Sequence, residues 1–290
     1  MKMRWFYLLR KRLGMVLLYA MLILLGVIIL LPLGWMVTAA LKPDNVTVFN
    51  IPPQWLPREY WQWENFSRVM TLETRPFGLY MQNTLTIVAG NVIGNLFCCS
   101  LAAFAFARLR FRGKAILFNV LIVTMLIPWQ VLMIPQFLMF NHIGWYGTFL
   151  PLIVPSYFGN VTSAFYIFLI TQYMRSFPKE LEDAARIDGC NHWQVFRYII
   201  LPLSGPVLVV VAVFVFLNSW NDLMGPLIYL NDNSQFTVSL GLANFVVSRT
   251  RTPWNLLMAA NLVTMLPAII MYFFSQKKLV GGIATVGLKG

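Results

Sequence analysis

AILFNVLIVTMLIPWQVLMIPQFLMFNHIGWYGTFLPLIVPSYFGNVTSAFYIFLITQYM, Ala115–Met174, is a run of 60 residues without Asp, Glu, Lys or Arg. A membrane-spanning helix needs about 20 mostly apolar residues, so the run is too long for one span. The segment Asn141–Gly147 within it is rich in Asn and Gly, which is typical of a turn. The run therefore predicts two membrane-spanning helices, over residues 115–140 and 147–173.

Further uncharged runs have the length of a membrane span. They lie at residues 13–40, 79–107, 199–221 and 253–276. Together with the spans at 115–140 and 147–173, these four runs predict an all-α integral membrane protein. It has six transmembrane helices in a single domain, residues 1–290. The connecting segments are then 42–78, 175–202 and 223–252, with a tail at 277–290. Asn233–Ser248 is also uncharged but short and polar, and it predicts an interfacial or loop segment.

The first span has an alternative interpretation as a signal peptide. Five basic residues precede it, and Thr38-Ala39-Ala40 resembles a cleavage site. However, the apolar region of a signal peptide is only about 7–15 residues long. Residues 13–40 are nearly twice that length, so we expect a retained helix.

The composition excludes several classes of protein. Charged residues make up 11% of the chain and apolar residues 59%, whereas about 25% of residues are charged in an ordinary soluble domain. The mean hydropathy is +0.68. A soluble enzyme of this length could not cover so much apolar surface with polar side chains. The formal net charge of +12 would by itself suggest a nucleic-acid partner.

The distribution of the charges predicts an orientation instead. If the N-terminus is cytoplasmic, the cytoplasmic segments carry 16 basic and four acidic residues, and the outer segments carry six of each. Lys and Arg concentrate in the cytoplasmic loops of membrane proteins. We therefore expect both termini in the cytoplasm, membrane lipid around the spans, and no nucleic-acid partner.

The sequence contains no recognisable catalytic or metal site. His142 and His192 fall on opposite faces of the predicted membrane, so they cannot share a metal, and three Cys do not form a disulfide framework. Gly113-Lys114 is followed by Ala115 rather than by the Ser or Thr of a phosphate-binding loop. We expect no catalytic residue, no metal and no cofactor on this chain. If the chain transports a solute, the energy for transport must come from a partner or from the solute gradient.

Uncharged polar side chains occur along the predicted spans. The candidates for a solute pathway are Gln130, Asn160, Asn218 and Asn221. For any one of them, hydrogen bonding between helices is the more common role, worth about 1 kcal/mol or less. Pro128 precedes Gln130, and a broken helix at membrane depth is tolerated where protein or a water-filled cavity satisfies the freed backbone groups.

The loop at 175–202 has signals for two short helices. Ser176 is the predicted cap of the first, and Gly189 its end, because glycine tolerates the left-handed conformation found there. Asn191 and Gln194 have the spacing of a capping box for the second helix. At helical spacing, one face carries Leu181, Ala184, Ala185 and Asp188. The simplest interpretation is an amphipathic helix lying on the membrane surface.

This loop resembles the EAA motif of permease subunits of binding-protein-dependent ABC importers. Asp183-Ala184-Ala185, Gly189 and the Ile199–Pro202 segment stand at the spacing of that motif, with Asp in place of the usual Glu. The resemblance implies a coupling helix that docks on a cytoplasmic ATPase. The implied coupling residues are Glu182, Asp183, Ala184, Ala185, Asp188, Gly189, Ile199, Leu201 and Pro202.

Other stretches are similar to carbohydrate permeases of the MalG type. They are Ala103–Gly113, Trp220-Asn221-Asp222, Gly241–Phe245 and the tail Gln276–Gly290. The tail implies a contact of Gly287, Lys289 and Gly290 with the ATPase pair, although a frayed basic terminus would have the same composition.

The resemblance implies the type I ABC importer permease fold in a bacterial cytoplasmic (inner) membrane. It also implies three kinds of protein partner: a second homologous permease, two cytoplasmic ATPase subunits that hold ATP and Mg²⁺, and an extracytoplasmic solute-binding protein. The expected solute is a carbohydrate, with an oligosaccharide favoured. The rival hypotheses are a gradient-driven carrier or channel acting alone, and a membrane enzyme acting on lipid-linked sugars.

Overall fold

The computed structural model describes residues 2–44, 48–49, 54–57, 60–74, 76–247 and 253–287, and their side chains except at 2–11, 246–247 and 277–287. Every regular element in these ranges is helical. The α-helices are α1 (Lys2–Ala40), α2 (Glu64–Thr71), α3 (Phe77–Arg108), α4 (Lys114–Thr124), α5 (Trp129–His142), α6 (Leu150–Ile153), α7 (Ser163–Arg175), α8 (Glu180–Ile187), α9 (His192–Val195), α10 (Leu201–Leu203), α11 (Gly205–Trp220), α12 (Met224–Tyr229), α13 (Val238–Val247) and α14 (Trp254–Gly287). Short 3₁₀ turns occupy Val154–Tyr157 and Asn233–Gln235, and a π turn occupies Phe196–Ile200.

The chain divides into two compact units. The first comprises Met1–Thr74 and Phe245–Val263, and the second comprises Arg75–Asn244 and Thr264–Gly290.

In the first unit, two asparagines anchor the chain where α1 ends. Asn65 Nδ2 donates to the backbone oxygens of Ala40 at 2.8 Å and Lys42 at 3.0 Å. Asn255 Nδ2 donates to the Lys42 oxygen at 3.1 Å and to Asp44 Oδ1 at 2.7 Å. The last carbonyls of a helix have no intrahelical partner, so these amides both satisfy the end of α1 and tie it to α2 and α14.

The second unit is built around α3. Its side chains pack against α7 and α11 in one buried cluster that includes Cys99, Ile170 and Val211. Ala185 of α8 and Val195 of α9 belong to the same cluster. The loop that connects α7 to α11 is therefore held by the core of this unit and does not lie free.

Long apolar helices occur where three of the six spans were predicted. Within the described residues, the segments Arg12–Ala40, Phe77–Arg108 and Trp254–Gln276 are long and apolar enough to cross a membrane. Two further candidates are bent pairs: α4 with α5 at 97°, and His192–Leu203 with α11 at 75°. The described helices thus provide three such spans, or up to five if each bent pair is one span.

Neither of the segments 115–140 and 147–173 is one continuous helix, and the break at Pro128 in the first was indicated by the sequence. In the first, Pro128 stands between α4 and α5, where proline restricts its preceding residue to an extended conformation. The second contains α6, a 3₁₀ turn and α7, with Gly159 in the left-handed region at φ +91°. The sequence 233–248, predicted as an interfacial or loop segment, contains the ten-residue helix α13.

Gly94 lets α3 approach the 3₁₀ turn at Val154–Tyr157. A Cβ at this position would lie 2.7 Å from Cδ2 of Tyr157 and would also collide with Ser156 Oγ. Small residues at membrane helix interfaces allow such close backbone approach.

We expect Gly94→Ala to destabilise the purified protein by about 1–3 kcal/mol, the usual cost of overpacking. The measurement is the melting temperature in detergent. Gly205→Ala is the matched control, because a Cβ at Gly205 would meet nothing within 4 Å. Equal melting temperatures for the two variants would contradict the close approach.

Candidate functional site

Helix α8, which carries the first part of the coupling motif, begins later than its sequence signals suggested. Its first residue is Glu180, and no side chain caps it. Ser176 Oγ donates instead to the backbone oxygen of Tyr173 at 2.8 Å, so the predicted cap at Ser176 is wrong. Glu180, Glu182 and Asp183 lie in the first turn, where negative charge is favoured by the helix dipole.

Gly189 ends α8 as predicted. It lies at φ +85°, its N–H donates to the Arg186 oxygen at 3.0 Å, and the Cys190 N–H donates to the Ala185 oxygen at 2.9 Å. These two bonds form a Schellman motif, which needs a residue in the left-handed region. A Cβ at Gly189 would meet no atom within 4 Å, so the constraint is the backbone conformation rather than space.

The second helix of the loop opens with the predicted capping box. The Asn191 N–H donates to Gln194 Oε1 at 2.8 Å, and the Gln194 N–H donates to Asn191 Oδ1 at 2.9 Å. The π turn at Phe196–Ile200 follows, and Ile199 and Leu201 are half-buried while Pro202 is exposed. Phe196 and Ile200 are buried in the core of the second unit.

Burial divides the predicted coupling residues into two groups. Glu182 and Ala185 are 7% and 6% exposed. Asp183, Ala184, Asp188 and Gly189 are exposed. The face proposed from helical spacing therefore does not act as one surface, because its member Ala185 packs inward while Ala184 faces outward.

Arg108 forms an ion pair with Glu182. Sequence reasoning did not select Arg108 as a site residue. Its Nε lies 3.0 Å from Glu182 Oε1, with the two side chains 5% and 10% exposed. The N–H does not point at the oxygen, so the contact is an ion pair rather than an aligned hydrogen bond. Arg108 Nη2 also donates to the backbone oxygens of Met174 and Phe177, the latter at 2.9 Å.

The position of Arg108 explains why one side chain reaches three elements. It is the last residue of α3, and its guanidinium carries several donors in a fixed plane. Met174 is in the last turn of α7, where carbonyl groups lack helical partners and a cation is favoured. Arg108 therefore joins the end of α3, the end of α7 and the first turn of α8.

A cavity of about 700 Å³ lies elsewhere in the second unit, between α3, α5, α11 and the 145–162 segment. Ligand pockets commonly have volumes of about 300–1,000 Å³. Its amide-bearing side chains are those of Asn91, Gln130, Gln136, Asn160 and Asn218. Its aromatic side chains are those of Trp129, Phe140, Trp145, Phe158 and Tyr229.

Three of the four predicted pathway residues meet at this cavity. Asn218 Nδ2 donates to the Tyr166 hydroxyl at 2.8 Å, and Asn160 Oδ1 accepts from Thr162 Oγ1 at 2.9 Å. Gln130 lies at the start of α5, directly after the break at Pro128. Asn221 is not part of the lining, because it is exposed and its Nδ2 donates to the Leu217 oxygen at 2.8 Å.

The cavity also contains an acid that sequence reasoning placed only at the end of a span. Asp222 Oδ1 accepts from the Gly225 N–H at 3.1 Å. Burial raises the pKa of this carboxyl group above its ordinary value, while backbone N–H groups of Gly225 and Met224 lower it. Gly225 permits the close packing, since a Cβ there would lie 2.5 Å from Asp222 Oδ2.

Apolar helices of membrane length are typical of an integral membrane protein, and the second unit contains an amide-rich cavity between its helices. The model of the family described as "Binding-protein-dependent transport system inner membrane component" matches residues 94–284. The chain belongs to this family. It is therefore an inner-membrane transport component and not an enzyme.

Individual relatives cover most of the chain. The arabinooligosaccharides transport system permease protein AraQ of Halalkalibacterium halodurans is 32% identical over 78% of this chain and 79% of its own length. The trehalose/maltose transport system permease protein MalG of Thermococcus litoralis is 31% identical, with coverage of 92% and 94%. A chain of a bacterial ABC transporter that imports the acidic polysaccharide alginate has the same fold, with a TM-score of 0.79, 20% identity and coverage of 92% and 96%.

A second structure of similar fold is that of a bacterial alginate ABC transporter in complex with an alginate pentasaccharide-bound periplasmic protein. One of its chains has a TM-score of 0.64 and 17% identity, with coverage of 89% of this chain and 92% of its own.

We predict that Glu182→Gln lowers the melting temperature of the protein, whereas Asp183→Asn leaves it nearly unchanged. Breaking a buried ion pair from one side costs about 3–5 kcal/mol, because the other charge stays buried without a partner. Exposed charges contribute about 0–1 kcal/mol. The two variants make the same chemical change at adjacent positions, so the comparison isolates burial. A larger loss for Asp183→Asn would show that the assignment of the buried acid is wrong.

Proposed function

We propose that this chain is the permease subunit of an ATP-driven ABC importer for a carbohydrate, with an oligosaccharide favoured. It forms half of the translocation pathway and works by alternating access. The coupling loop at 175–202 receives the motion of the cytoplasmic ATPase subunits, and both termini are cytoplasmic. ATP and Mg²⁺ bind to the ATPase subunits and not to this chain.

The observation that carries the proposal is the attachment of α8 to α3 through Arg108 and Glu182. Arg108 and the cavity residue Asn91 lie on the same helix, 17 residues apart. At 1.5 Å per residue that separation is about 26 Å. A displacement of α8 is thus carried along a single continuous helix to the cavity wall. Rigid helices that shift as units are an established means of conformational coupling.

The exposed part of α8 supports a docking role. Ala184 is small, Asp183 and Asp188 supply negative charge, and Ile187 is 87% exposed. An apolar side chain with so large an exposed fraction, near a small residue, is typical of a surface that another protein covers. Gly287, the end of α14, belongs to the proposed ATPase contact of the tail, whereas Lys289 and Gly290 lie outside the described residues.

Support for a carbohydrate comes from the cavity and from the relatives. Amide groups both donate and accept hydrogen bonds, as vicinal hydroxyl groups require, and aromatic faces pack against the apolar faces of sugar rings. The named relatives transport arabinooligosaccharides or trehalose and maltose. A carrier acting alone is disfavoured by the family's dependence on a binding protein.

The proposed function also includes specific protein partners. A second homologous permease completes the pathway, and a heterodimer is favoured. The apolar side chains of α1 between Leu13 and Leu31 are mostly exposed and face this partner or lipid.

An extracytoplasmic solute-binding protein docks on the outer segments 42–78 and 223–252. The aromatic residues Trp55, Trp61, Trp63 and Trp254 in or next to these segments also suit the membrane interface.

We expect Ala184→Arg to weaken the association with the ATPase subunits by at least about tenfold, equivalent to 1.4 kcal/mol. The bulky charged side chain would stand on the docking surface without disturbing the core, so the melting temperature should not change. Copurification of the ATPase with tagged permease measures the association, and uptake of sugar by cells measures the consequence.

The matched control is Ala115→Arg, which makes the same change at an exposed residue of α4. It should keep both ATPase association and uptake. If Ala184→Arg also keeps both, α8 is not the coupling helix.

A further inference from the structure

The lining of the cavity has an unusual balance of charge. Asp222 contributes a carboxyl group, and none of the described residues that line the cavity is Lys, Arg or His. A buried charge needs a partner of opposite sign or a set of hydrogen bonds. A carboxylate or phosphate group on a solute would find no such cation among the described residues of this lining and would meet the carboxyl group of Asp222.

Two residues of the lining carry buried polar atoms without a hydrogen-bond partner among the described residues. The hydroxyl of Tyr229, a residue that is 3% exposed, has no hydrogen-bond partner in the part of the chain that the structure describes. Asn91 Oδ1 is also buried and unpaired there, although its Nδ2 donates to Ser219 Oγ at 3.0 Å. Buried polar groups are normally paired, so the unpaired atoms of these two lining residues leave hydrogen-bonding capacity beside the cavity.

The ring of Tyr229 is fixed independently of its hydroxyl. It packs edge-on against Phe140 with ring centroids 5.5 Å apart, and Phe140 stacks on Trp145 at 5.4 Å. These rings provide an apolar wall beside the unpaired polar atoms. That combination suits the alternating apolar and hydroxyl-bearing surfaces of a sugar.

We infer that the cavity selects uncharged sugars and rejects acidic ones, with Asp222 as the residue that excludes anions and Tyr229 and Asn91 as hydrogen-bonding contacts to solute hydroxyl groups. This inference rests on the proposed function and specifies the charge class of its solute. It separates this chain from the alginate transporter whose fold it shares, since that transporter imports an acidic polysaccharide.

The test measures binding to the complete membrane assembly in detergent, without its binding protein, so that the selectivity of that protein does not contribute. The probes are trisaccharides of glucose, galactose and mannose, each paired with its C6-carboxylated counterpart. Ligand-observed saturation-transfer NMR at pH 7 gives the affinities. We expect at least one neutral sugar to bind about tenfold or more tightly than its carboxylated form, since like charges at a binding surface are strongly disfavoured.

Two variants assign the effect to residues. Asp222→Asn keeps an oxygen acceptor for the Gly225 N–H and should raise the ratio of carboxylated to neutral affinity at least about threefold. Asn221→Asp is the matched control, because it adds a carboxyl group outside the cavity and should leave the ratio unchanged. Tyr229→Phe keeps the packed ring and should weaken neutral-sugar binding severalfold at an unchanged melting temperature.

Preferential binding of the carboxylated sugars by the wild-type assembly would overturn the inference, and so would an unchanged ratio in Asp222→Asn. If no probe of either class binds, the cavity is not the sugar site. ATP-dependent uptake of sugar by the same assembly, reconstituted with its binding protein, would then still support the proposed function. Its absence for every sugar would overturn both.

Discussion

The ion pair between Arg108 and Glu182 is the interaction on which the arrangement of the second unit depends. It unites the end of α3 with the first turn of α8, and the same guanidinium binds carbonyl oxygens at the end of α7. Two charges that are almost fully buried gain from each other only while both remain in place. The pair therefore fixes α8 against the helical core, and in the proposed function α8 is the helix on which the ATPase acts.

This attachment gives the loop two distinct surfaces. Glu182 and Ala185 face inward and set the position of α8, whereas Asp183 and Ala184 face outward and are available to a partner. A docking helix needs both properties, because an exposed surface without an internal anchor would bind but would not move the rest of the chain. In the proposed function, the short motif thus combines recognition of the ATPase and mechanical attachment within four residues.

Sequence reasoning predicted the local structure of this loop well and its long-range contacts poorly. The left-handed Gly189 and the capping box of Asn191 with Gln194 depend on neighbouring residues, so their signals are visible in the sequence. The Arg108–Glu182 pair joins residues 74 positions apart, and no periodicity encodes it. The basic residues around Arg108 were used to predict membrane orientation and as part of the resemblance at Ala103–Gly113, and neither use distinguishes the one residue among them whose side chain turns inward.

The membrane-length helices also have some features that the sequence predicted and others that it did not. Hydropathy alone located α1, α3 and α14, whose apolar runs are continuous. Hydropathy did not predict the breaks near Pro128 and Gly159, because a hydropathy sum does not respond to backbone conformation. The break at Pro128 was indicated by the proline itself, whereas nothing in the sequence indicated the one at Gly159. Three of the four pathway candidates reached one cavity, while Asp222 was not selected, since its burial arises from how α11 and α12 fold back on the 145–162 segment.

The strongest requirement of the proposed function is a joint movement of α8 and α3 as one body when ATP binds to the assembled transporter. It is tested most directly by spin labels at Ile187 on α8 and Phe97 on α3, both exposed positions, in a chain whose native cysteines have been replaced. Pulsed electron paramagnetic resonance then gives the distance between the labels in the ATP-free and ATP-trapped states. Movement as one body predicts the same distance in both states, and a change of about 5 Å, one helical turn, would contradict it.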